Sequence, residues 1–116
     1  MLTDKLLTLV LEQLDDIKGK DIKVIDVRGK TNICDYMVIA TGTSQRHLKS
    51  LAEHVEEEVK KNGFKPLGIE GENTGEWIVV DLGDIIVHAM LGQTRDFYQL
   101  ENLWEVDFAV AQPSQL

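Results

Sequence analysis

The chain is poor in basic residues, in cysteine and in long apolar runs. Lys and Arg number 12 against 20 Asp and Glu, a formal charge of −8 over 116 residues. A general nucleic-acid binder needs a surplus of cations to meet phosphates, and docking onto an anionic membrane needs the same, so neither class fits. The single cysteine, Cys34, cannot close an internal disulfide, which points to a reducing compartment. No apolar stretch approaches the roughly 20 residues that cross a bilayer. The opening residues, Met1-Leu2-Thr3-Asp4-Lys5, do not form a basic region followed by an apolar one. A soluble, cytoplasmic protein is the expectation.

What is present suits a single folded domain. Hydrophobic residues make up 43% and charged residues 28%, enough to bury a core, and the length is that of one domain. Leu7, Val10, Leu14 and Ile17 recur at helical spacing, which predicts a helix over 2–17 that ends before Gly19. Strands are predicted over 22–27 and 36–41, the second mostly apolar and therefore central. Gly42-Thr43-Ser44 breaks that strand and caps a helix over about 44–62, with Leu48, Leu51, Ala52, Val55 and Val59 on one face and charges on the other. A short strand near 66–70 follows. Trp77–Asp81 and Asp84–Met90 read as a hairpin turning at Leu82-Gly83. A last helix over about 94–104 holds Phe97, Leu100, Leu103 and Trp104. Residues 1–106 are expected to form the domain and 107–116 a loose tail. The fold class expected is α/β, one mixed sheet flanked by helices.

The charge is unevenly placed. Residues 1–65 carry 11 bases and 11 acids, whereas residues 66–116 carry one base, Arg95, and nine acids. A solvated face explains such a bias without any partner. Complementarity to a basic partner explains it too, and would act mainly on encounter and orientation.

The hairpin bears on that choice. With Asp81 opposite Asp84, Val79 faces Ile86 and Trp77 faces His88. One face then carries Ile78, Val80, Ile85, Val87 and Ala89, all apolar and suited to a core. The other carries Trp77, Val79, Asp81, Asp84, Ile86, His88 and Met90. A large aromatic, a thioether and acids together make a poor core and a good binding surface. The competing reading is that the final helix folds back and covers this face. A slip of one residue would exchange the two faces.

Catalytic patterns are missing. Gly42-Thr43-Ser44 sits where nucleotidyltransferases place a Gly-Ser turn, but no strand after the following helix carries Asp-x-Asp or Asp-x-Glu to hold the metal. Ser44 therefore reads as a helix N-cap. There is no GxxxxGK[ST], GxGxxG or HExxH. His47 and His54 lie two helical turns apart, too far to share a metal, and read as surface residues. His88 reads equally well as an interface hydrogen-bonder and as a structural histidine. Cys34 has no neighbouring base in sequence and reads as inert. No enzyme, cofactor or metal is expected.

Two long motifs resemble a known family. Asp35-Tyr36-Met37-Val38-Ile39-Ala40-Thr41-Gly42-Thr43-Ser44 with His47 is one. Gly75, Trp77–Asp84, Ile85-Ile86-Val87-His88, then Arg95, Tyr98, Leu100-Glu101 and Leu103-Trp104 form the other. Both resemble the ribosomal silencing factor family, also called Iojap-related, and the likeness spans about residues 3–104. It implies an α/β fold related to nucleotidyltransferases but without their catalytic acids. It implies binding to a basic protein of the large ribosomal subunit, large-subunit protein fourteen, on the face where the small subunit docks. Steric block of subunit joining would then repress translation when nutrients are scarce. Some members form homodimers. The partner-facing surface implied here is Trp77, Asp81, His88, Met90, Arg95, Tyr98 and Leu103. The hairpin argument supports the first four independently. Two other classes stay open: a residual nucleotide-binding enzyme using the Gly42-Thr43-Ser44 turn, and a structural dimer sealing its own hairpin face.

Overall fold

The apolar periodicities translate into a sheet with one well-covered face. The computed structural model describes residues 2–100 and 102. In chain order it contains helix α1 (Leu2–Asp16), strands β1 (Lys20–Asp26) and β2 (Tyr36–Gly42), helix α2 (Gln45–Lys61), strands β3 (Gly68–Glu70), β4 (Trp77–Asp81) and β5 (Ile85–Leu91), and helix α3 (Gly92–Tyr98). The strands form one mixed sheet in the order β1-β2-β5-β4-β3. β2 and β5 pair in parallel, and the other neighbours are antiparallel. This is the expected α/β architecture, with a mixed sheet and flanking helices.

The first sheet face carries the larger core. Leu6, Val10 and Leu14 of α1 and Leu48, Leu51, Ala52, Val55 and Val59 of α2 pack on it. They meet Val38, Ala40, Ile78, Val80, Ile85, Val87 and Ala89, all essentially inaccessible to solvent. Alternation along each strand places every one of these on the same side. The Ser44 side chain accepts from the backbone N–H of His47 at 3.1 Å and caps α2 as expected. Gly42 is needed for packing: a Cβ there would come within 2.5 Å of Leu48 Cδ2. The Gly42-Thr43-Ser44 turn is thus accounted for by strand–helix contact and capping.

His47 departs from its surface reading. It is half-buried; its Nδ1 accepts from the Thr43 N–H at 2.9 Å, and its Nε2 lies 2.8 Å from the Ile17 carbonyl oxygen. With Nδ1 accepting, the proton stands on Nε2 and is donated to Ile17. The side chain fastens the end of α1 to the start of α2.

The last helix is the element that differs most from expectation. It begins at Gly92, two residues early, and stops at Tyr98, where Gln99 turns left-handed with φ 47°. The phase of 94–104 is therefore broken. Phe97 is 80% exposed, while Arg95 points inward and is 9% exposed. Leu103, Trp104 and the tail 107–116 lie outside the described residues. Among the described residues, no helix is long and apolar enough to cross a membrane.

Candidate functional site

The second sheet face carries a smaller core. Ile25, Val27, Cys34, Met37, Ile39 and Met90 cluster along the β1–β2–β5 side, and Trp77, Ile86 and Leu100 pack against them half-buried. Among the described residues, α3 offers seven residues against five strands, and the β4–β3 side of this face keeps partly accessible side chains. The open part presents Trp77, Val79, Asp81 and Ile86, each half-buried, with Glu70 and Asp84 exposed beside them. Glu70 joins this side because it pairs with Val79 across β3 and β4.

The hairpin register differs by two residues from the expected one. Trp77 pairs with Met90, Val79 with His88 and Asp81 with Ile86. The turn centres on Gly83-Asp84, closed by the Leu82 N–H donating to the Ile85 carbonyl at 2.9 Å. Gly83 takes φ +88°, a conformation that a tight hairpin demands and that suits glycine. A turn centred on Leu82-Gly83 would expose Leu82, which is instead buried in the first core. A two-residue shift preserves the faces, so the division into an apolar face and a mixed one stands.

An aromatic run crosses the open part. The Trp77 Nε1–H donates to His88 Nδ1 at 3.0 Å. The Trp77 ring lies 4.9 Å from that of Tyr98, and Phe97 meets Tyr98 edge-on at 5.0 Å, both favourable aromatic separations. Tyr98 is 55% exposed. At the turn end of the hairpin three acids gather. Cys34, buried beneath, has its thiol pushed up first by burial and then by the charges of Asp35, Asp81 and Asp84, which places those three carboxylates at one corner. Asp81 also holds the turn, its Oδ1 accepting from the Gly83 N–H at 2.9 Å. Burial pushes the His88 imidazole down to about 4, so it is neutral at physiological pH.

Comparison with known proteins gives this surface a setting. Residues 2–115 match the family described as "Ribosomal silencing factor during starvation". The chain belongs to the ribosomal silencing factor family. It is 52% identical over 99 residues to the ribosomal silencing factor of Haemophilus influenzae, covering 85% of this chain and 97% of that one. It is 35% identical over 104 residues to a mouse protein named "Mitochondrial assembly of ribosomal large subunit protein 1", covering 87% of this chain and 44% of that one. A crystal structure from Chromobacterium violaceum superposes with a TM-score of 0.86 at 42% identity, covering 90% of this chain and 87% of that one. One from Bacillus halodurans gives 0.79 at 28% identity, covering 87% and 94%.

Within this silencing-factor fold the seven residues expected to face a partner separate into groups. Trp77 and Tyr98 lie together near the surface, and Asp81 lies half-buried on the same face at the other end of β4. His88 sits under Trp77, only 9% exposed. Met90 is a correction: it is fully buried, because the register places it beside Thr41 and beneath the α3 end of the face. Arg95 is a second correction. Its Nη1 donates to the Asp21 carbonyl at 2.6 Å and to Thr41 Oγ1 at 2.8 Å, tying α3 to β1 and β2. Leu103 lies outside the described residues. Phe97 and Glu70 are surface members that the sequence reading missed. A helix end at Gln99 would have had to be seen to expose Phe97, and the β3–β4 register to place Glu70.

Proposed function

We propose that the open half of the second sheet face docks a basic protein of the large ribosomal subunit, large-subunit protein fourteen, and so hinders joining of the small subunit. The observation that carries this reading is the accessible Trp77–Tyr98–Phe97 run in a ribosomal silencing factor, on a sheet face that also carries Glu70 and Asp81 and ends at Asp84 in the hairpin turn. Interfaces concentrate their affinity in a few aromatic anchors, and an acidic border raises the encounter rate with a cationic partner. The action is steric and regulatory, with no bond made or broken. It belongs in the compartment where ribosomes join, the bacterial cytoplasm, and under nutrient limitation. In the test, purified large subunits are incubated with the protein, small subunits are added and the products are separated on a sucrose gradient. The expected result is fewer joined ribosomes, with the protein travelling beside free large subunits. Unchanged joining at saturating protein contradicts the reading.

A further inference from the structure

A tryptophan at an interface can meet its partner through its ring or through its indole N–H. In this chain the N–H is already taken, by His88 Nδ1 at 3.0 Å. His88 is well placed to act as the fixed member of the pair. It lies on β5, the central strand, paired with Ile39 of β2 on one side and Val79 of β4 on the other. It is 9% exposed, whereas Trp77 stands nearer the surface, on a strand whose other neighbour, β3, has only three residues. The contact is diagonal, since Trp77 pairs directly with Met90, so the indole must lean along the hairpin to reach the imidazole. Tyr98, the other neighbour of the ring, is itself 55% exposed.

We propose that His88 is a positioning residue for the docking face: it accepts the indole N–H and so fixes Trp77 for a partner that meets the ring and not its polar edge. The inference rests on the reading that this face docks the large subunit. Its consequence is chemical. A tryptophan with its donor occupied, and with the exposed Glu70 paired to Val79 on the same face, suits a cationic side chain laid over its π face. An acceptor of the partner finds nothing to bond at Trp77.

The test uses His88→Leu, which removes the acceptor, and His88→Asn, which puts a carbonyl near the place of Nδ1. Both are made with Trp104→Phe, so that Trp77 is the sole tryptophan of the chain. Affinity for purified large subunits and acrylamide quenching of Trp77 in the free protein are measured together. His88→Leu is expected to bind about ten-fold more weakly, the scale of one hydrogen bond, and to be quenched more readily. His88→Asn restores both. In a Trp77→Phe background, which has no N–H to hold, His88→Leu costs no further affinity. Full binding by His88→Leu while Trp77→Ala loses binding overturns the positioning role. So does an equal loss in the Trp77→Phe background. If Trp77→Ala itself binds normally, the docking reading falls, and the quenching comparison then decides alone whether His88 holds the ring. A measurement on the unaltered protein covers a His88→Leu chain that does not fold. The Trp77 indole N–H should exchange with solvent more slowly than that of free tryptophan, and equal exchange overturns the hold.

Discussion

Trp77 lies directly across the hairpin from Met90, yet its polar contact is with His88, one step along the same face. Met90 disappears under α3 and Trp77 does not. The two residues expected together at the surface thus differ in depth, one in the core and one half-buried.

Replacing Trp77 by Ala should weaken binding to large subunits by about 2 kcal/mol or more, roughly thirty-fold, because half-buried aromatic anchors carry disproportionate affinity. Met90→Ala should instead lower stability by about 2–5 kcal/mol through an unfilled core cavity. Denaturant titration beside a binding isotherm separates the two.

Stability should fall on acidification through His88. Its folded value is depressed from 6.5 to about 4 by burial, so the unfolded chain takes up the proton first. The contribution is complete above pH 6.5 and is lost as the pH falls toward 4. It amounts to on the order of 3 kcal/mol, since each pH unit between the two values is worth about 1.4 kcal/mol. Urea unfolding at pH 7 and pH 4.5 checks this, and His88→Asn should flatten the difference.

Arg95→Met should destabilise the fold by about 1.5–3 kcal/mol, the scale of charge-assisted hydrogen bonds such as those to Asp21 and Thr41. The affinity of the folded fraction for large subunits should be unchanged. A melting curve and a binding isotherm on the same preparation decide it.

Raising salt should slow association with large subunits more than it speeds release, because the acids of this face act over distance and are screened beyond a Debye length of about 10 Å at 0.1 M. Glu70→Gln with Asp84→Asn should reduce the salt slope. Stopped-flow association rates at several ionic strengths provide the measurement.

Gly71→Ala should cost more than about 2 kcal/mol. Gly71 has φ +93°, and an added Cβ would collide with the carbonyl oxygen of Trp77. Thermal unfolding tests it.

The parts of this fold legible in the sequence were those governed by local periodicity. α2 followed from its apolar stripe and its Ser44 cap. β4 and β5 followed from alternation, and the two-faced hairpin survived an error in register because the error was an even number of residues. What failed depended on contacts distant in sequence. Burial of Met90 needs α3 to lie over it, and inward Arg95 needs Asp21 and Thr41, more than fifty residues away. The end of α3 is not legible because a left-handed Gln99 stops it with no glycine to announce it. His47 reads as surface in the sequence because its partner, the Ile17 carbonyl, is thirty residues away and belongs to another element's end.

The most direct test of the docking face is a photocrosslink from its middle. A benzophenone side chain in place of Val79, and a control in place of the exposed Lys49 on α2, are each irradiated with purified large subunits. A crosslink from position 79 to a basic large-subunit protein, absent from position 49, is the predicted result. Crosslinking from position 49 with none from position 79 would contradict it.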